Sequence, residues 1–211
     1  YPDNGDYSLS FDGDDDWVDL SYDFNILEFP ITISTNIAIP DSDIPYFLFD
    51  SDFHIGNPIY SGVNISYFNN SIWVDLGNGQ NWGSSEYRRS KNAEYIFETY
   101  QSYNLDIVII NSTNITIYVD GEDIGGEYSG SAEILQIADL GSNATLGNYV
   151  QQSNFETDYS SQIVSNLFIW NRALNEEEIN SSYNSTNGLI AQYKFNAGDG
   201  TTLYDHSGNG N

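Results

Sequence analysis

The sequence contains no cysteine and no methionine among its 211 residues. Without cysteine, the chain can form no disulfide bond, no thiolate metal site and no cysteine nucleophile. No apolar run approaches the roughly 18 residues that a membrane-spanning helix needs, so we expect no membrane span. Because the chain begins with Tyr-Pro-Asp rather than methionine, we expect a processed chain or a fragment from which any signal peptide has been removed.

Basic residues are scarce. Lysine and arginine together number 5 against 31 aspartates and glutamates, which gives a formal net charge of −26. A field of this sign repels nucleic acids and anionic lipids, so neither is an expected partner. It attracts divalent cations or basic partners, and the simpler alternative is that the charge keeps the protein soluble in salty water.

The usual catalytic patterns are missing as well. No E-x-D-x-E strand is present to supply the closely spaced carboxylates of a retaining glycoside hydrolase, and no G-x-S-x-G elbow is present. The two histidines, His54 and His206, lie in stretches typical of loops. We therefore predict that the protein is not an enzyme and requires no cofactor.

Short alternating segments dominate what is present. "ITISTNIAI" (31–39) alternates apolar and polar residues, and "LDIVII" (105–110) with "NITIYVDG" (114–121) predicts a hairpin. One stretch, "LNEEEINSSY" (174–183), predicts a helix in which Asn175 and Glu178 form a capping box. We predict an all-β, antiparallel two-sheet jelly-roll sandwich with one short helix near residues 175–183, and we expect Trp17 and Trp170 in its core.

Several segments resemble laminin-G-like jelly-roll domains of the concanavalin A-like lectin/glucanase superfamily. They are "YSLSFDGDDDWVDL" (7–20), "ITIYVDGE" (115–122), "LFIWNRALNEEEI" (167–179) and "LIAQYKFNAGDGTTLYDHSGNGN" (189–211). The resemblance implies a jelly-roll fold and a relation to sugar-binding domains. An acidic residue that the family often carries is missing from "SSQIVSNLF" (160–168), which weakens the case for a metal site of the family type.

The order of the segments departs from that family. The family's "KFDEGSG" strand precedes its "SFDG" strand, whereas here the matching segment closes the chain. We therefore divide the chain into a jelly-roll body, 1–187, and a terminal strand and loop, 188–211. The strand could fold back into its own sheet, open the next repeat of a tandem array, or be donated to a neighbouring chain. In a donated strand we expect the contacts to come from Ile190, Ala191, Tyr193 and Phe195.

The sequence is also rich in N-glycosylation sequons, N-x-[ST]. Seven begin at Asn64, Asn69, Asn111, Asn114, Asn143, Asn180 and Asn184. They predict a secreted, extracellular or cell-surface protein that carries covalent N-glycans. The alternative is chance matching in a sequence rich in asparagine and serine.

Two regions are candidates for binding. Acid-rich turns supply the oxygen ligands that Ca²⁺ prefers, and the alternative is a solvated acidic turn; the candidate metal ligands are Asp12, Asp14, Asp205 and Asn209. The stretch "NWGSSEYRRSKNAEY" (81–95) holds three of the five basic residues, and its candidate sugar ligands are Trp82, Tyr87, Arg88 and Arg89. An exposed loop without a ligand is the alternative there.

These observations lead to two functional hypotheses. The first is a non-catalytic structural protomer of an extracellular filament or stalk, whose partners are copies of itself or tandem neighbouring domains. A donated strand makes a head-to-tail contact, and such contacts propagate when their symmetry does not close. The second is a carbohydrate-binding or adhesion module that recognises external glycans, with Ca²⁺ as a candidate ion.

Overall fold

The structure is a computed structural model of the 211-residue chain. It describes residues 6–20, 28–41, 46–51, 59–60, 62–81, 85–134, 143–149, 158–181 and 184–210. Among these residues, no helix is long and apolar enough to cross a membrane. In chain order the strands are β1 (Leu9–Ser10), β2 (Val18–Asp19), β3 (Ile31–Ala38), β4 (Tyr46–Asp50), β5 (Ile59–Tyr60), β6 (Val63–Phe68), β7 (Ser71–Gly77), β8 (Gln80–Asn81), β9 (Arg88–Glu94), β10 (Ser102–Asn111), β11 (Asn114–Val119), β12 (Glu122–Asp123), β13 (Glu127–Gly130), β14 (Thr145–Leu146), β15 (Asn148–Tyr149), β16 (Asp158–Tyr159), β17 (Ile163–Trp170) and β18 (Leu189–Tyr193).

Two antiparallel sheets form a sandwich, which confirms the predicted fold class. Sheet I has the order β1-β17-β3-β10-β11-β12, with β18 also paired to β17. Sheet II has the order β13-β9-β7-β6-β4-β14-β2. Two further pairs, β5 with β8 and β15 with β16, are small ribbons. The predicted hairpin is β10 and β11, in which Ile107 pairs with Ile117.

The alternation of apolar residues explains how the sheets pack. Ile31, Ile33 and Ile37 of β3 are buried in the main core between the sheets. Because neighbouring side chains of a strand point to opposite faces, Thr32 and Ser34 lie on the outer face of sheet I. Part of that outer face is also covered, because a second apolar cluster joins sheet I to the chain after β17. This second cluster consists of Val108, Phe168, Trp170, Leu174 and Ile179.

The helix that covers sheet I is α1 (Glu176–Asn180). Its predicted capping box is present, because the Glu178 backbone N–H donates to Asn175 Oδ1 and the Asn175 backbone N–H donates to Glu178 Oε2. Arg172 binds both carboxylate oxygens of Glu178, at 2.8 and 2.7 Å. The hydrogen bond from Arg172, followed by that from the Asn175 backbone, lowers the pKa of Glu178 to about 2.

The two tryptophans expected in the core differ. Trp170 is fully buried in the second cluster and stacks on Phe168, so that prediction is confirmed. Trp17 is 45% exposed, so its predicted burial is wrong. The reason is local: β2 begins at Val18 and has only two residues, which leaves Trp17 at the end of an exposed acidic turn.

The terminal strand β18 pairs with β17 of its own chain, with Leu167 opposite Tyr193 and Ile169 opposite Ala191. Ala191, Tyr193 and Phe195 are buried in the main core, whereas Ile190, on the opposite face, is half-buried. β1 pairs with β17 farther along the same edge, at Val164 and Ile163. The single chain therefore completes its own sheet with this strand, and exchange of the strand between chains stays a prediction.

Candidate functional site

A row of polar side chains crosses the outer face of sheet II. Register pairs Asp50 with Asn64, Asn64 with Asp75, and Asp75 with Ser90, across β4, β6, β7 and β9. Thr145 of β14 extends the row beyond Asp50. Directly opposite residues of antiparallel strands have Cβ atoms only about 5 Å apart, so these side chains form one continuous strip.

A second row runs beside the first, two residues along each strand. Ser66 pairs with Trp73, and Trp73 pairs with Asn92. Trp73 and Asp75 are alternate residues of β7, so both lie on the outer face while Ile72, Val74 and Leu76 face the core. We call the two rows together, with Arg88 at their edge, the polar face.

Two neutral side chains of the polar face, Asn64 and Trp73, each have an N–H group without a hydrogen-bond partner among the described residues. Asn64 is 7% exposed, and its Nδ2 is buried without an acceptor. The half-buried Trp73 likewise has a buried and unpartnered Nε1. Buried polar groups are nearly always paired, and leaving one unpaired costs about 1–3 kcal/mol. Both nitrogens are covered by the fold, so an acceptor oxygen from outside reaches them only when the covering side chains move.

Asp75 is one of the two carboxylates of the polar face, together with Asp50. Burial raises the pKa of its carboxyl group, an effect that a hydrogen bond from Ser90 and the charge of Arg88 partly oppose. The Ser90 hydroxyl donates to Asp75 Oδ1, which fixes the orientation of the carboxyl group. The polar face thus offers acceptors at Asp75 beside the donors of Asn64 and Trp73, and it flanks them with an indole ring.

The described candidate sugar ligands of the stretch 81–95 do not share one surface. Arg88 lies at the edge of the polar face, and Tyr87 ends the short 3-10 helix Ser85–Tyr87. Arg89 faces the other side of β9, where its Nη1 donates to the Gly130 carbonyl at 2.7 Å and its guanidinium lies over the Tyr128 ring. Alternation along β9 therefore separates neighbouring cations, and a ligand role for Tyr87, Arg88 and Arg89 stays a prediction.

The remaining basic residue of that stretch is used within the fold. Lys91 is buried, and its Nζ donates to the Ile115 carbonyl at 2.6 Å. Burial lowers the pKa of Lys91, although the charge of Asp123 partly opposes this effect. Trp82, the remaining member of the predicted sugar site, lies outside the described residues.

The candidate metal ligands fall into two groups. Carboxylate oxygens of Asp12, Asp15 and Asp16 approach within 4.8 Å of one another on an exposed turn, while the backbone N–H of Asp14 donates to Asp12 Oδ1. Asp205, in contrast to the exposed turn, is a buried residue. Calcium binding at the exposed turn stays a prediction.

Asp205 and Asn209 hold the terminal loop against β18. Asp205 Oδ1 accepts from the backbone N–H groups of Gln192 and Ser207, both at 2.9 Å. Asn209 Nδ2 donates to the carbonyl oxygens of Leu189 and Ile190, both at 3.0 Å. The hydrogen bonds of both residues therefore attach the terminal loop to β18.

The seven predicted glycosylation residues differ in accessibility. Asn64 is buried within the polar face. The other six asparagines are exposed: Asn69, Asn111, Asn114, Asn143, Asn180 and Asn184. A glycan is attached through the side-chain nitrogen, so this fold is compatible with glycans at the six exposed positions and not at Asn64.

The sequence indicates Trp73 as a candidate for stacking on a sugar, but it does not indicate the polar face as a whole. The alternation in "SIWVDL" (71–76) places Trp73 and Asp75 on one side of a strand, and that signal was available. The sequence contains no signal for the neighbours of those residues. Asn64 and Ser90 come from other strands, and the alternation within one strand does not specify how strands pair.

Comparison with known proteins shows the fold class again. Neither a protein-family model nor a curated protein sequence matches the chain. Among solved structures, a candidate carbohydrate-binding protein from Bacteroides ovatus aligns with 96% of this chain at a TM-score of 0.68 and 13% identity. The present chain spans 56% of the length of that protein.

Two other solved structures align over most of their own length. The heptameric SAP-like pentraxin of Limulus polyphemus has a TM-score of 0.55 and 15% identity, over 86% of this chain and 82% of the pentraxin. The CBM40 module of Ruminococcus gnavus IT-sialidase, solved with alpha2,3 sialyllactose bound, has a TM-score of 0.59 and 12% identity, over 83% and 97%. At such identities the likeness shows the jelly-roll fold alone, and membership of the laminin-G family stays a resemblance.

Proposed function

We propose that this chain is a non-catalytic carbohydrate-binding module that binds glycans on its polar face. The main observation in support is the pair of donors that have no acceptor among the described residues, Asn64 Nδ2 and Trp73 Nε1, which side-chain movement on ligand binding would expose. Sugar hydroxyl and ring oxygens are suitable acceptors for both. Two of the structural neighbours are described as binding carbohydrate, which favours the same function.

The residues of the polar face have complementary roles in this proposal. The indole of Trp73 supplies an apolar surface for a pyranose ring, in addition to its N–H donor. The Asp75 carboxyl group, oriented by Ser90, accepts hydrogen bonds from sugar hydroxyl groups. Asn92, opposite Trp73, adds an amide with both a donor and an acceptor. The ligand class is a glycan rich in hydroxyl groups.

The test is a glycan array followed by calorimetric titration of the best neutral ligand. We expect Trp73→Phe, which keeps a ring and removes the N–H, to weaken binding by about two- to tenfold, the equivalent of one hydrogen bond. Trp73→Ala removes both contributions and should weaken binding further. As a matched control, Tyr100→Ala removes an aromatic ring that is 71% exposed, and it should leave the affinity unchanged.

Two results would contradict the proposal. One is a blank glycan array for the folded wild-type chain, and the other is wild-type affinity in Trp73→Ala. Circular dichroism and thermal melting of each variant separate loss of binding from loss of folding. Repeating the array with and without Ca²⁺ tests the calcium dependence in the same experiment.

A second candidate function is assembly into an extracellular filament by strand exchange. One observation favours it. β18 lies at the edge of sheet I, where Ala191 and Tyr193 are buried, so the space that β18 fills beside β17 could accept β18 from another copy. Electron microscopy of the whole chain beside a chain truncated after Tyr183 is the test. Filaments that disappear on truncation support this function, and monomers in both samples contradict it.

A further inference from the structure

A groove of about 580 Å³ lies on the outer face of sheet I, on the opposite side of the sandwich from the polar face. Its floor comes from β3 and β17, and its walls come from the residues before β1 and after β18. Phe168 lines the groove and stacks on Trp170 of the helix-covered cluster, so it marks the boundary between the two. The lining residues that matter below are Asp6, Tyr7, Asn36, Asn166, Lys194 and Asn196.

We propose that this groove is a second glycan site, selective for sugars that carry a carboxylate. The proposal goes beyond the function assigned to the polar face and uses none of its residues. It follows from three features of the groove: an ordered amide floor, a cation without an ion pair among the described residues, and an exposed ring.

The amide floor is ordered by its own hydrogen bonds. The backbone N–H of Asn36 donates to Asn166 Oδ1 at 3.0 Å, which assigns the oxygen of that amide and leaves its Nδ2 as a donor. Asn36 Nδ2 donates to Asn104 Oδ1 at 3.0 Å, and the Ser102 hydroxyl donates to Asn36 Oδ1 at 2.6 Å. Orientations fixed in advance reduce the entropy that a ligand loses on binding.

The cation is Lys194, the residue directly after β18. It is exposed and lines the groove, and it forms no ion pair with another described residue. Asn196, which is 8% exposed, also lines the groove two residues farther along the chain. An ammonium group next to amide donors binds a carboxylate through charge-assisted hydrogen bonds, which are stronger than neutral ones.

The ring is that of Tyr7, which is 47% exposed. A Cβ placed on Gly198 would lie 3.0 Å from the Tyr7 ring atoms, so the ring packs closely over a glycine. This contact joins the two ends of the chain, because Tyr7 precedes β1 and Gly198 follows β18. The exposed part of the ring offers an apolar surface for a pyranose, beside the cation that would bind its carboxylate.

Asp6 also lines the groove, and its negative charge opposes that of Lys194. It accepts hydrogen bonds from sugar hydroxyl groups but repels a carboxylate. Replacing it therefore gives a test with the opposite sign to the loss of Lys194.

The experiment titrates the whole chain with 3′-sialyllactose and with trigalacturonate, and with lactose and α1,4-galactotriose as their neutral counterparts. It is run at about 0.15 M salt, where a Debye length of about 8 Å limits repulsion by the distant acidic residues. At least one carboxylated probe should bind about tenfold or more tightly than its neutral counterpart. Lys194→Gln should remove this preference, Lys194→Arg should keep it, and Asp6→Asn should strengthen binding of the carboxylated probe.

The proposal is overturned if neither carboxylated probe binds better than its counterpart, or if Lys194→Gln keeps the preference. Because Lys194 is exposed, its variants should melt like the wild type, and a shared melting temperature confirms that folding is intact. Trp73→Ala separates the two sites: it should weaken neutral glycans at the polar face and leave binding of the carboxylated probe unchanged. The proposal for one site can therefore be contradicted while the proposal for the other is supported.

Discussion

Tyr193 provides the most direct test of how the terminal strand closes the fold. Its ring is 1% exposed in the core between the sheets, and its hydroxyl group donates to the Leu20 carbonyl at 3.3 Å. Its strand pairs with β17 on one side, and Tyr193 itself bridges to Asp205. Replacing this residue therefore tests how much the terminal segment stabilises the core between the sheets.

The size of the effect follows from burial. Truncating a fully buried aromatic residue to alanine typically costs about 3–5 kcal/mol, so Tyr193→Ala should lower the free energy of unfolding by about that amount. Tyr193→Phe keeps the ring and removes only the hydrogen bond to Leu20, which costs about 0.5–1.5 kcal/mol. In a domain of this size, about 1 kcal/mol corresponds to about 2–4 °C in melting temperature.

The assay is urea unfolding of both variants and the wild type, each at two protein concentrations at least tenfold apart. Closure within one chain makes every midpoint independent of concentration, whereas exchange between chains makes the midpoint rise with concentration. The reasoning is refuted if Tyr193→Ala unfolds within about 1 kcal/mol of the wild type, because a fully buried ring cannot be removed at so low a cost.

Three further predictions concern titration and modification. Burial raises the pKa of Asp75, so the folded state binds the proton of this carboxyl group more tightly than the unfolded state does. The resulting stabilisation of the folded state is complete below the pKa of the unfolded chain, and it is lost as the pH rises through the pKa of the folded chain. Asp75→Asn should therefore melt higher than the wild type near neutral pH and lose this advantage at about pH 3, and equal advantages at both pH values would contradict the reasoning. The pKa of Glu178 is lowered to about 2, so its contribution is present above the unfolded value of 4.5 and is lost as the pH falls through about 2. Glu178→Gln should destabilise the chain by about 1 kcal/mol at neutral pH and by much less near pH 2, as measured by thermal melting. In a host that glycosylates secreted proteins, mass spectrometry should find Asn64 unmodified and glycans at exposed sequons such as Asn69, and an occupied Asn64 would show that the polar face is accessible before folding is complete.

Local features of this fold were predictable because they depend on residues close together in the chain. The alternation around Ile31 and Ile33 identified a strand and its buried face, because successive side chains of a strand point to opposite sides. The capping box of Asn175 and Glu178 identified the start of the helix, because its donors and acceptors lie within three residues. Both predictions needed no knowledge of the partner elements.

The candidate sites depend on partners that are distant in the chain, and only the tertiary structure brings these together. Asp50, Asn64, Asp75 and Ser90 share one strip because four strands pair in a particular register, which alternation within each strand cannot specify.

The sequence by itself determined that the fold is an acidic β-sandwich with one capped helix, because composition, alternation and capping are local properties. Only the tertiary structure decided that β18 closes its own sheet, and that Tyr7 and Lys194, from opposite ends of the chain, line one groove. The physical reason is that sheet register and edge pairing are set by contacts between residues far apart in sequence.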